Sequence, residues 1–387
     1  MAVTFLCGFA SQAPLIERVT LTGSCSMYSG NGRTGTGYVV AYPASGVSGY
    51  LTLGVASSYQ HFGMQADILP SIDRLVFGAI SAGTINVRLT SAGALAVYLN
   101  TTLIGTSSAA FASVGWHWVG IRQVTGTNVA FLQIDGVDAV TGTATVTATS
   151  AIVGASGTEA SMVQVEIDDV IGDGAGFLAP SRVALLLPIS DYYRTALWTG
   201  GSGGTTNLYD AVNNTPPIGM ASESDLSQIE HAGGAAGTTD YYAASLTTYT
   251  DAGVGSSDTV IALQGVVVWG EDIATGTKIL SWSTYLNPGA AIGVGFVDVS
   301  TGHGSGAVGT YSTGTDYWNE SRFLATSGYG TLTFGSSPVM RVDRPETASR
   351  VASVCFMGLY VAWTPYVAPP AAGPPIQPKV YPQILVQ

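Results

Sequence analysis

Short runs rich in Val, Ile, Thr, Tyr and Phe recur along the chain, parted by Gly, Ser, Asn and Asp at intervals of roughly 8–12 residues. Helical periodicity is nearly absent. A chain punctuated this often builds short strands that must pair and stack, which points to β-sandwiches or barrels. In "TINVRLT", Ile85, Val87 and Leu89 fall on one face of a strand with period two. In "VQVEIDDV", Val163, Val165, Ile167 and Asp169 share one face; Gln164, Glu166, Asp168 and Val170 share the other. The stretch "WHWVGI", "TGTN", "VAFLQIDGV" (116–137) reads as two paired strands apolar on both faces that turn at "TGTN", with a second turn at Asp135-Gly136. Trp116 and Trp118 are expected to pack the core and a sheet's outer layer, or to form an aromatic platform for sugar rings. His117 has no partner acid or nucleophile close to it in sequence. The longest apolar run, "VASVCFMGLYVAW" (351–363), is short of the ~20 residues that span a bilayer and reads as a buried strand.

At roughly 100–200 residues per domain, 387 residues suggest two domains. Gly and Pro cluster in "GDGAGFLAPSR" (172–182), so the division is expected there: residues 1–178 as one β-sandwich and 179–364 as a second. Six prolines crowd 365–378. Proline cannot donate to a sheet ladder, so 365–387 is expected to be an extended, polyproline-like tail. Pro369, Pro370, Pro374, Pro375 and Tyr381 are its expected docking contacts to a neighbouring protein.

Charged residues make up 10% of the chain, against about 25% in ordinary globular proteins. The surface that remains is Ser, Thr, Gly and Tyr, poorly protected against association and expected to be covered by partners. The net charge is −12, and Lys278 and Lys379 are the only lysines. Without basic clusters the chain cannot neutralise phosphates, which argues against nucleic acid and anionic membrane surfaces. Cys7, Cys25 and Cys355 are odd in number and widely spaced, so they form no disulfide framework or zinc motif and read as buried apolar residues. The N-terminal "MAVTFLCGFASQA" lacks the basic region of a signal peptide.

The phrase W-x-W, a hairpin, "IDG", and "IDDV" some thirty residues later resembles the laminin-G-like, concanavalin-like jelly roll. Gly8-Phe9, "GRTGTG" (32–37) and "VEIDDVIGDG" running into "FLAPSRVALLLPISDYYRTALW" (177–198) resemble the version found in bacteriophage virion proteins. The resemblance spans about residues 5 to 365 and is most specific over 166–198. It implies an all-β chain of two jelly-roll sandwiches in series. It also implies a structural role in a virion assembled in the host cytoplasm, as a tail, baseplate, fibre or capsid-decoration part. Such a protein docks rigidly to other virion proteins, without catalysis, as a homo-oligomer for which a trimer is the guess.

Two other functions are weighed. One is a carbohydrate-binding module for host-surface polysaccharide, with Trp198, Trp269, Trp282, Trp318, Tyr192 and Tyr193 as contacts to glycan or to a protein interface. The other is a laminarinase-like glycoside hydrolase, because "EIDD" (166–169) resembles the E-I-D-x-x-E strand of that class. Retaining hydrolysis needs two carboxyls about 5–5.5 Å apart. Glu166 and Asp168 share a face, but the next positions on it are Val170 and Gly172, so the general acid is missing. No cofactor is expected. Asp168, Asp169 and Asp173 are suited in kind to calcium, although an Asp capping the Gly-rich turn is the simpler expectation.

Overall fold

The computed structural model describes residues 2–9, 17–30, 32–33, 37–113, 115–195, 198–200, 206–213, 229–231, 240–271, 281–286, 310–313, 316–327, 332–344 and 352–367. Four sheets account for nearly all of its regular structure, and every pair of strands within them is antiparallel. The chain is an all-β protein of two jelly-roll β-sandwiches. Pro369, Pro370, Pro374, Pro375 and Tyr381 lie outside the described residues.

In the first sandwich, an eight-stranded sheet runs Val137–Ala144, Gly126–Ile134, His117–Arg122, Tyr59–Ile68, Gln164–Asp173, Gly37–Ala41 and Cys25–Ser29, with Val3–Cys7 also paired to Gln164–Asp173. The opposing seven-stranded sheet runs Thr102–Thr106, Leu95–Leu99, Ile85–Leu89, Arg74–Phe77, Ile152–Ala155, Gly49–Leu53 and Val19–Gly23. Between them lies a core that includes Phe62, Phe77, Leu95, Val119 and Phe131. Ile85, Val87 and Leu89 all face it, as their period-two spacing requires. His117–Arg122 pairs with Gly126–Ile134 as the hairpin requires, and Asp135 and Gly136, whose φ of 53° and 80° is the left-handed pair of a type I′ turn, join that second strand to Val137–Ala144.

The second sandwich stacks a seven-stranded sheet on a four-stranded one. The larger contains Ala352–Thr364 flanked by Thr259–Glu271, Ile229–His231 and Arg182–Leu186; the smaller contains Pro188–Arg194, Asp240–Leu246, Val339–Arg344 and Ser281–Tyr285.

Far from being loosely strung, the sandwiches are fused. The strand Thr259–Glu271 turns Leu263, Val267 and Trp269 into its own core and Val266 and Val268 outward. Ala352–Thr364 does the same, with Val354, Leu359 and Val361 inward and Cys355, Tyr360 and Ala362 outward. The outward sets, joined by Val183 of Arg182–Leu186, meet Val3, Leu6, Trp118 and Ile171 of the first sandwich in a shared apolar seam, with Leu178 of the connecting segment. This explains why these strands are apolar on both faces: one face fills a core and the other fills the seam. It also answers the run at 351–363, a strand buried on both sides.

Candidate functional site

The acidic strand Gln164–Asp173 runs through the middle of the eight-stranded sheet, so its outer face is where any carboxylate chemistry would sit. Register holds from Val165 to Asp168 and then breaks: Asp168 pairs with Gly63, but the next pair is Ile171 with His61. One extra residue is accommodated by a bulge in which Asp169 adopts a φ of 51°. The bulge inverts the alternation expected from the sequence. Val170 enters the inner core rather than sharing the face of Glu166, and Ile171 turns into the seam. Asp173 is the last residue of the strand and is buried.

Each aspartate is committed to holding chain. Asp169 accepts a bond from Arg33 Nη1 at 2.9 Å and another from the Val183 amide at 2.7 Å. Arg33 also donates to the Ser181 carbonyl, and Arg182 donates to the Arg33 carbonyl. This knot ties the first residues of the second sandwich to the first. Asp173 accepts from the Ala175 and Gly176 amides at 2.6 and 3.0 Å, capping the Gly-rich turn, and from the Ala2 amide at 2.9 Å. Asp168 Oδ1 accepts from the Asp169 amide at 2.7 Å. Calcium takes six to eight converging oxygens. These three carboxylates diverge into separate contacts, and among the described residues no group of three or more His, Cys, Asp or Glu converges on a metal position.

The half of the outer face next to the seam is filled. The rings of His61 and Trp118 stack at 5.9 Å with an interplanar angle of 12°, and Phe177 meets His61 edge-on at 5.9 Å. Arg33 lies over the other part of the Trp118 ring, 5.0 Å from its centroid. Glycine at 63 and 120 makes this layer feasible, since a Cβ there would come within 2.7 Å of Arg33 Cδ and 2.9 Å of Phe177 Cδ1 respectively. His61 Nε2 accepts the Leu178 amide at 3.0 Å, which leaves Nδ1–H to face the Ile171 carbonyl at 3.3 Å. Burial lowers the pKa of this imidazole to about 4. At the rim, a cavity of about 280 Å³ is lined by Arg33, Arg182, Asp258 and Trp363, among others.

Among the described residues, the other half is uncovered. Glu166 sits opposite Gln65 and Val40, and Asp67 accepts bonds from the amides of Gln65 and Gln164 at 2.8 and 2.9 Å. Burial first, and then the Asp67 carboxylate hydrogen-bonded beside it, push the Glu166 carboxyl up to about 7. Trp116 stands on this half, its ring edge-on to Tyr38 at 6.4 Å. His117 does have an acid: Asp135, distant by eighteen residues but brought to 2.7 Å by the pairing of His117–Arg122 with Gly126–Ile134. Sequence proximity alone could not supply that pairing.

The tryptophans expected to meet glycan are inside. Trp198, Trp269 and Trp282 are 0, 7 and 3% exposed and belong to the second sandwich's core, because their strands turn those positions inward. The side chain of Trp318 lies outside what is described, though its strand, Asp316–Ala325, pairs with Thr259–Glu271. Tyr192 is half-buried. Tyr193 is 48% exposed and stacks on Tyr241 at 5.0 Å, while Arg341 lies 4.0 Å from the Tyr241 centroid and donates to Asp343.

Fold and site together define a double jelly-roll sandwich in which Asp169 of the acidic strand ties one sandwich to the other. No family model and no curated protein matches the sequence. Among solved structures, the chain is similar to the N-terminal CBM22-1-CBM22-2 tandem of Paenibacillus barcinonensis Xyn10C, at 8% identity and a TM-score of 0.22, over 92% of this chain and 97% of that one. It is similar to the binding domain of botulinum neurotoxin DC at 9% identity and a TM-score of 0.30, over 87% and 94% of the two chains. It is similar to a chain of Sulfolobus turreted icosahedral virus at 7% identity and a TM-score of 0.18, over 93% and 65%. Likenesses this distant carry no argument about function.

Proposed function

We propose that the chain is a structural component of a bacteriophage virion, a tail, baseplate, fibre or decoration part that works by rigid docking and not by catalysis. The observation that supports this best is the seam. The half of the first sandwich's outer face next to the seam is filled by packing against the second sandwich, and buried Asp169 fastens the two through the Val183 amide and Arg33. Such a body transmits position rather than performing chemistry. The resemblance of residues 166–198 to phage virion proteins supplies the setting, and repetition by symmetry makes a homo-oligomer, with a trimer first in line, the expected assembly.

Hydrolysis is not part of this reading. Asp168 is bonded by the Asp169 amide, and Asp173 by those of Ala2, Ala175 and Gly176, so both carboxylates on the strand beyond Glu166 hold backbone rather than standing across a sugar from it. Recognition of glycan by the second sandwich retains Tyr193 but loses Trp198, Trp269 and Trp282 to the core.

The test is to image gradient-purified particles carrying a label on this chain. Symmetry-related copies at fixed positions are expected. A chain that stays out of particles while the particles assemble normally refutes the reading.

A further inference from the structure

Beside the seam, the half of the first sandwich's outer face that no described residue covers brings together side chains whose chemistries complement one another. Tyr28 and Tyr38 are cross-strand partners with rings stacked at 5.7 Å and 28°. Trp116 closes on Tyr38 edge-on. Tyr28 is 43% exposed, and Tyr38 and Trp116 are half-buried, so the rings are held in place and still reach solvent. Glu166, Asp67, Gln65 and Gln164 adjoin them. Their closeness registers on Tyr38, whose hydroxyl is raised above its ordinary value first by burial and then by Glu166, Tyr28 and Asp67.

We propose that this face binds a neutral glycan, with pyranose C–H faces lying on Tyr28 and Trp116 and sugar hydroxyls bonding to Glu166, Asp67 and Gln65. A pyranose presents an apolar face bounded by hydroxyls. Aromatic rings match the face, and planar carboxyls and amides match the rim. The charge selects among sugars. Glu166 and Asp67 stand at the patch in a chain of net charge −12, so uronic or sialic acids are repelled. Arg33, the cation on the neighbouring half, is already paired with Asp169. The inference does not depend on the docking role: a virion part and a stand-alone binding protein could both carry such a face.

The experiment is isothermal titration of the full chain with neutral hexasaccharides of the gluco, manno, xylo and chito series, and with an oligogalacturonate as the charged control. At least one neutral oligosaccharide should bind and the galacturonate should not. Tyr28→Ala and Trp116→Ala should each weaken binding about tenfold or more. Tyr28 projects into solvent, so its variant should keep the wild-type melting temperature even if the Trp116 variant does not fold. Failure of every neutral sugar to bind at millimolar concentration overturns the proposal. So does preference for the galacturonate, or binding unchanged in Tyr28→Ala.

Discussion

The hydroxyl of Tyr360 donates to Glu17 Oε1 at 2.8 Å, joining residues 343 positions apart across the buried seam. Cys7 donates its thiol to the other oxygen of the same carboxylate at 3.3 Å. Glu17 is fully buried, so this is a polar tie inside a largely apolar junction. Tyr360→Phe keeps the ring and removes one donor from a buried carboxylate, a loss expected to cost roughly 1–3 kcal/mol. Denaturant titration of the variant checks this; a midpoint equal to wild type would show that the tie is dispensable.

Asp169 anchors the second tie. Asp169→Ala strands the buried Arg33 guanidinium and the Val183 amide, and it places alanine at a φ of 51°. Breaking a buried pair from one side costs about 3–5 kcal/mol. The same denaturant titration should show a loss of that size, and a loss below ~1 kcal/mol would contradict the assignment.

Packing in the seam is tight at Gly120, where an added Cβ would lie 2.9 Å from Phe177 and 3.0 Å from His61. Gly120→Ala should therefore destabilise by roughly 1–3 kcal/mol through overpacking. Calorimetry of the variant measures it, and an unchanged melting temperature would mean that the segment bearing Phe177 is free to move aside.

Stability should depend on pH with a maximum in mildly acidic solution. His61 has a folded pKa of about 4, below its ordinary 6.5. The unfolded chain then binds the extra proton, and stability is lost as pH falls from 6.5 through 4, by up to the order of 3 kcal/mol. Glu166 shifts the opposite way, from 4.5 to about 7. The folded chain holds its proton longer, so its contribution is lost as pH rises from 4.5 through 7. Melting temperatures measured across this range should flatten on the acid side in His61→Phe and on the alkaline side in Glu166→Gln.

Burial raises the thiols of Cys7, Cys25 and Cys355, with Cys25 pushed up to about 12. A thiol-specific reagent at roughly pH 8 should label none of them in the native chain and all three after denaturation. Rapid labelling of the native chain would contradict the burial of all three.

Much of the architecture is legible in alternation: Ile85, Val87 and Leu89 point where period two puts them. Alternation also explains what went unread. A single bulge residue at Asp169 reverses the phase, so Val170 and Ile171 exchange the faces expected of them, and no local composition announces a bulge. The buried tryptophans were misplaced for a related reason. A strand apolar on both faces does not reveal which face meets its own core and which meets another domain. Trp116 and Tyr38 come together only through long-range pairing of strands, as do His117 and Asp135.

The account rests on the two sandwiches being welded into one body, and differential scanning calorimetry of the intact chain tests that most directly. Independent sandwiches would unfold as separate units. The seam predicts a single transition whose calorimetric and van't Hoff enthalpies agree. Two resolved transitions, with Tyr360→Phe and Asp169→Ala leaving both midpoints in place, would contradict it.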